Sequence, residues 1–226
     1  MGLYRSTTSC VDRGVDTPVS IETTGSGELG YFYFNGTSSG STAQFATIGN
    51  GGTKQSVIGW EFRARFIMPP SGTQRYIAES AGRTSLFITD DNRIRCEYVG
   101  ATGDGSVQTS TNFAPVGSYL YTRVVNLLGA VTLFINNGEI QTGAQAPSPT
   151  QARFTLLGKK SGTNGKNFLG KIFLFETGNS TTGTFVADNS YTFNEGTGAT
   201  FFNTGANPDG DAVITNPTAA GGGWDY

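Results

Sequence analysis

The segment Trp60-Glu-Phe-Arg-Ala-Arg-Phe66 alternates without a break: Trp60, Phe62, Ala64 and Phe66 share one side, Glu61, Arg63 and Arg65 the other. A period of two is the geometry of a strand with one buried and one wet face. No segment of the chain sustains the 3.6-residue period of a helix. Tyr31–Phe34, Arg75–Ala78, Ser85–Thr89, Arg93–Val99, Tyr119–Leu127, Val131–Asn136, Glu139–Ile140, Arg153–Leu157 and Phe168–Glu176 read as further strands. Asp90-Asp91-Asn92 and Gly129 supply turns, and Asn137-Gly138 is the pair favoured in a type I′ hairpin. Phe168–Glu176 is apolar on both faces and is expected to be central. With 33 Gly in 226 residues and only 14% charged residues, the composition fits short strands joined by polar turns and excludes a helical bundle. The predicted fold is an all-β antiparallel sandwich over residues 30–178. Residues 1–29 are polar and irregular, an N-terminal arm with one strand at Val19–Glu22. Residues 179–226 are dense in Gly, Asn and Thr, with isolated aromatics at Phe185, Tyr191, Phe193, Phe201, Phe202 and Trp224. This C-terminal extension is expected to pack on the sandwich, since it cannot bury a core alone.

Several functions are excluded at once. The chain has no histidine, which removes Ser-His-Asp and Cys-His catalysis and His-ligated zinc. Its net charge of −2 lacks the basic excess of a nucleic-acid binder. The longest apolar stretch, Leu127–Ile135, is broken by Gly129 and Thr132 and is too short to span a bilayer. The first residues, Met-Gly-Leu-Tyr-Arg-Ser, lack the apolar core of a secretory signal. Cys10 and Cys96 form no framework; Cys96 shares a face with Ile94 and Tyr98 and reads as a small buried hydrophobe, a Cys10–Cys96 bridge being the other reading.

Three hairpin-like pieces carry a resemblance. They are Ser85–Ile94, then Val131-Thr-Leu-Phe-Ile-Asn-Asn-Gly-Glu-Ile140, then Phe154-Thr-Leu-Leu-Gly158 with Phe168-Leu-Gly-Lys-Ile-Phe-Leu-Phe175. In this order they resemble the hairpins and closing pair of a laminin-G-like, concanavalin A-type jelly roll, over Trp60 to Glu176. A further stretch, Tyr191–Gly198 with Asn203-Thr-Gly205, Asp211–Ile214 and Trp224, resembles a segment beside such domains in bacteriophage virion proteins. The resemblance implies a fold more directly than a function.

Catalytic residues are not found. Concanavalin A-type glycan hydrolases carry paired carboxylates on one strand, about 5 to 5.5 Å apart when configuration is retained. Here no Glu lies within four residues of another acid. Ligand-binding candidates are Tyr76, Tyr119 and Tyr121, aromatics near strand ends that would stack on sugars, and Asn164 and Asn167 in a long Gly-rich loop. No cofactor is expected. Calcium is the one cation to weigh, at Asn207-Pro-Asp-Gly-Asp211, where Asp209 and Asp211 are the candidate ligands, and at Gly103-Asp-Gly105; ordinary turn chemistry is the favoured reading of both loops.

Taken with the resemblance, these features predict a non-enzymatic structural protein of a phage virion, made in the host cytoplasm and placed on the capsid or on the tail or baseplate. Its expected partners are copies of itself, in a trimer or ring, and other virion proteins, with neither nucleic-acid binding nor membrane insertion. The alternative is a glycan-binding tail-fibre lectin that recognises host surface glycans; a polysaccharide hydrolase is the remote one.

Overall fold

The computed structural model describes residues 30–37, 43–48, 59–80, 84–100, 102–127, 129–144, 146, 154–159, 166–179, 184–206, 210–218 and 222–225. The expected arm at 1–29, with Val19–Glu22 and Cys10, lies outside them, as do Asn164 and Asp209.

Among the described residues there are sixteen strands and no helix. In chain order they are β1 (Tyr31–Asn35), β2 (Phe45–Ile48), β3 (Trp60–Ile67), β4 (Arg75–Ser80), β5 (Thr84–Ile88), β6 (Ile94–Val99), β7 (Asp104–Gln108), β8 (Tyr119–Leu127), β9 (Ala130–Ile135), β10 (Gly138–Thr142), β11 (Leu156–Leu157), β12 (Leu169–Asn179), β13 (Val186–Tyr191), β14 (Thr200–Phe201), β15 (Ala212–Thr215) and β16 (Gly223–Asp225). They form two sheets. The front sheet runs β10-β9-β8-β3-β12-β1-β16, with β13 against the second half of β12; the back sheet runs β14-β15-β2-β11-β4-β5-β6-β7. All strand pairs are antiparallel. The molecule is an all-β jelly-roll sandwich, as its alternating segments require.

The inward positions of β3 fill the space between the sheets. Trp60, Phe62, Ala64 and Phe66 are fully buried. Trp60 stacks on Phe62 with centroids 4.5 Å apart, and Phe154 meets the edge of Phe62 at 4.5 Å. At the other end Phe32, Phe34, Phe193 and Phe201 pack edge to face, with Trp224 against Phe32 and Phe201. Gly158 is required at this end: its φ is +76°, and a Cβ there would lie 2.6 Å from a Phe34 ring carbon.

Residues 179–226 enter both sheets. β15 pairs with β2, β14 with β15, β13 with β12 and β16 with β1. Tyr191, Phe193 and Phe201 are thereby buried in the common core.

Three sequence expectations change. The hairpin after β9 turns on Asn136 and Asn137, both with positive φ, and Gly138 instead opens β10 opposite Ile135. Asparagine tolerates the left-handed region, and the Asn136 side chain is held by the Tyr121 N–H at 2.9 Å. The closing pair is divided between sheets: β11 joins β2 and β4, whereas β12 joins β3, β1 and β13. Finally, Asp104 and Gly105 are not in a loop but open edge strand β7, with Gly105 opposite Tyr98.

Phe62→Ala should cost about 3–5 kcal/mol in denaturant melts, because it empties the centre of a ring cluster. Cys96 is free and fully buried, and burial, with the Glu97 charge in second place, pushes its thiol far above the usual range. The unfolded thiol loses its proton near pH ~8.5. Above that pH the folded state holds the extra proton, so stability falls as pH rises, by up to about 1.4 kcal/mol per pH unit. Cys96→Ala should flatten that slope between about pH 8 and 9.5. Rapid reaction of native Cys96 with a thiol reagent would contradict its burial.

Candidate functional site

The site begins with a fault in the alternation of β12. The run Ile172-Phe173-Leu174-Phe175 is apolar throughout, yet only Ile172 and Phe175 are buried. Ile172 pairs with Phe66 and Leu174 with Arg65, so Phe173 is the extra residue of a β-bulge. A bulge re-aims side chains. Here it returns Phe175 to the core and leaves Phe173 on the outward face of the front sheet.

The neighbouring strand β1 puts Tyr31 and Tyr33 on that same face, because Phe32 and Phe34 take the inward positions. Between β1, β12 and the chain after β3 lies an open groove of about 690 Å³. Tyr31, Tyr33 and Phe173 line it, with Lys171 as its charged group and Pro69, Pro70 and exposed Val116 at its rim. The Phe173 ring meets Tyr31 edge to face at 5.4 Å and Tyr119 at 5.2 Å. Three rings therefore run across β1, β12 and β8. The Lys171 Nζ donates to the Tyr31 hydroxyl at 2.8 Å and lies 3.9 Å from the ring centroid. The volume, the aromatic lining and the few polar groups are those of a small-molecule site.

Further along β3 and β8 the same face becomes charged. Arg65 lies over the Tyr121 ring, 5.0 Å from its centroid. Glu61 faces outward, as its place in the alternation predicts, yet is fully buried beneath its neighbours. Its Oε1 accepts from Arg63 Nε at 2.6 Å and from Arg123 Nε at 2.8 Å. Arg63 rests on Phe185 at 3.6 Å, and Arg123 on Phe134 at 5.4 Å. The bond to Glu61 pushes the Arg123 guanidinium up from its ordinary value, while burial, ahead of the nearby charges, pushes the Tyr121 phenol up.

The sequence candidates separate into two groups. Tyr119 and Tyr121 stand together, two residues apart on the outward face of β8, half-buried and continuous with the groove. Tyr76 and Asn167 also meet, through a single parallel bridge, but in the interior. Tyr76 is 2% exposed and stacked on Phe87 at 4.7 Å, so its faces are occupied. Asn167 is fully buried and donates to the Thr37 carbonyl at 2.7 Å. Asp211 accepts the Asn203 N–H at 2.9 Å, and Asp104 sits exposed at the start of β7. Among the described residues no group of three or more acidic, Cys or His side chains could hold a metal ion. Sequence reasoning missed Tyr31, Tyr33, Phe173, Lys171 and Arg65. Its available signal was the run of four aromatics at Tyr31–Phe34, which must leave two of them outside.

No protein-family model matches the chain, and no curated protein matches it in sequence. Solved structures do. A “putative carbohydrate binding protein” from Bacteroides ovatus ATCC 8483 superposes with a TM-score of 0.64 at 10% identity, over 83% of this chain and 58% of that one. The native heptameric SAP-like pentraxin of Limulus polyphemus gives 0.50 at 12% identity, over 66% and 75%. The mouse laminin α1 chain, domains LG4-5, gives 0.47 at 15% identity, over 66% and 40%. The chain thus spans 58% of the first of these structures. The fold is a concanavalin A-like jelly roll.

Removing the Glu61 carboxylate leaves two guanidinium groups facing each other. Glu61→Ala should destabilise the fold by about 1–3 kcal/mol, with Glu61→Gln milder. A double-mutant cycle with Arg123→Ala should show coupling of at least about 0.5 kcal/mol, whereas additive costs would show that the pair contributes nothing.

Proposed function

We propose that the chain is a carbohydrate-binding module that holds a saccharide against the aromatic row of the front sheet. One observation carries this reading: an open groove of about 690 Å³ walled by Tyr31, Tyr33 and Phe173 and continued by Tyr119. Sugar rings present flat C–H faces that pack on aromatic rings, and their hydroxyls seek the few polar groups beside them. The first structural neighbour is itself described as carbohydrate binding, in the words given above. Lys171 is the charged side chain of the groove among the described residues, placed beside the rings to meet a sugar's polar groups.

A structural place on a phage particle is the second reading, favoured by the resemblance of the 191–224 stretch. In the fold that stretch closes the chain's own sheets, and the aromatics Tyr191, Phe193 and Phe201 are engaged there. Among the described residues of that stretch Phe202, at 57% exposure, is a large ring left outside and available to a neighbour. The saccharide reading therefore leads. The two readings meet in a receptor-binding module carried on a virion, where a homo-oligomer would multiply a weak single-site affinity.

Tyr33→Ala and Tyr119→Ala should each weaken binding of an array-selected oligosaccharide about tenfold, measured by calorimetry, with the melting temperature nearly unchanged. Failure to bind any saccharide on a broad glycan array would refute the reading.

A further inference from the structure

The outward face of the front sheet carries four cations: Arg63 and Arg65 on β3, Arg123 on β8 and Lys171 on β12. Two of them share one carboxylate, since Arg63 and Arg123 both bind Glu61, which offsets one of their two charges. The other two stand apart from it. Among the described side chains no carboxylate lies within ion-pair distance of Arg65 or Lys171. Each leans instead on a ring, Arg65 on Tyr121 and Lys171 on Tyr31. The Tyr31 hydroxyl takes one of the three protons that an ammonium group can donate. The Tyr121 ring takes none of the five guanidinium protons along its lone-pair directions, being a face contact.

These two cations rise beside the aromatic row from β12 and β3 and lean to opposite sides, Lys171 onto Tyr31 of β1 and Arg65 onto Tyr121 of β8. Lys171 lines the groove beside Tyr31, Phe173 and Tyr33. Tyr121 shares its face of β8 with Tyr119, and Tyr119 touches Phe173. The net charge of the chain is −2, so this pair is a local feature and not a general basic excess. A neutral sugar on the row would cover two partly exposed charges with apolar C–H surface and return them no anion. An acidic sugar would give them charge-assisted hydrogen bonds, roughly twice as strong as neutral ones.

Resting on the saccharide-binding reading of the same groove, we infer that the saccharide is anionic: a carboxylate or sulfate group meets Arg65 or Lys171 while a sugar ring lies against Tyr31, Phe173 and Tyr119. The requirement is a negative group displaced from the stacked ring toward one side of the row, which both acidic sugar types supply.

The test uses the full chain on an array of uronate, sialylated and sulfated oligosaccharides beside their carboxyl-reduced, desialylated and desulfated counterparts, with binders titrated by calorimetry. The acidic member of a pair should bind about tenfold tighter or more, and the type of pair that responds tells carboxylate from sulfate. Raising NaCl from about 0.1 M to about 1 M, which shortens the Debye length from about 10 Å to about 3 Å, should remove most of that advantage. The double variant Arg65→Gln, Lys171→Gln should bring the acidic-to-neutral ratio close to one. Lys159→Gln, a cation over Phe45 beside the back sheet, should leave the ratio as it is. Equal affinity for acidic and neutral members at either salt concentration would overturn the inference and leave the saccharide-binding reading standing. Binding of no saccharide would overturn that reading and the inference with it. The paired glycans and the salt series use the unaltered chain, so the outcome stands even if the double variant does not fold.

Discussion

The structure turns on β12. It is bordered by β3 on one side and by β1 and then β13 on the other, so it joins the halves of the front sheet. A strand in that position must bury Ile172 and Phe175, three residues apart, on one face. Strict alternation cannot do that, because positions three apart point to opposite sides. The bulge at Phe173 resolves the conflict by inserting one residue. Its consequence is a phenyl ring on the outside of the sheet, held edge-on between Tyr31 and Tyr119. Core packing and the candidate site are thus two results of a single register shift, and the groove inherits the rigidity of the sandwich beneath it.

The sequence made the architecture legible where alternation was clean. β3, β6, β8 and β9 keep their period over six to nine residues and each is found as a strand, β3 and β6 with the expected face inward. It was less legible where a strand is short or starts on glycine. β2 has only four residues, and β7 opens on Asp104-Gly105, which reads as a loop. Glycine is needed at 105 for a reason that only the fold reveals: a Cβ would lie 2.4 Å from a Tyr98 ring atom. The assignment of β11 and β12 to opposite sheets was also hidden, since adjacency in sequence does not say which layer a strand enters.

The candidate site was half legible on the same grounds. Tyr119 and Tyr121 follow from the alternation of β8. Tyr31 and Tyr33 do not, because β1 is aromatic on both faces and nothing local says which pair is inside. Phe173 was concealed by its apolar neighbours, whose unbroken run looks like a strand buried on both sides. Tyr76 shows the converse. It lies near the start of β4, yet β4 and β5 are buried almost throughout, and Phe87 and the backbone at Lys166 occupy its surroundings.

The charge on the outward face is arranged in a similar layered way. Glu61 is a carboxylate that the pattern predicts to be wet, but Arg63 and Arg123 fold over it and each is itself laid on an aromatic ring. An ion pair of this kind is formed at the expense of solvation, and its two guanidinium groups keep their stems and planes against apolar surface. It offsets part of the charge at one end of β3, while Arg65, two residues on, faces the same side without such a carboxylate among the described side chains. Alternation sets the spacing of Arg63 and Arg65, and the position of a single acidic residue, Glu61, sets which of them has a carboxylate partner among the described side chains. Under the anionic-saccharide proposal the ligand preference of the face would be determined at β3, the strand next to β12 and its groove.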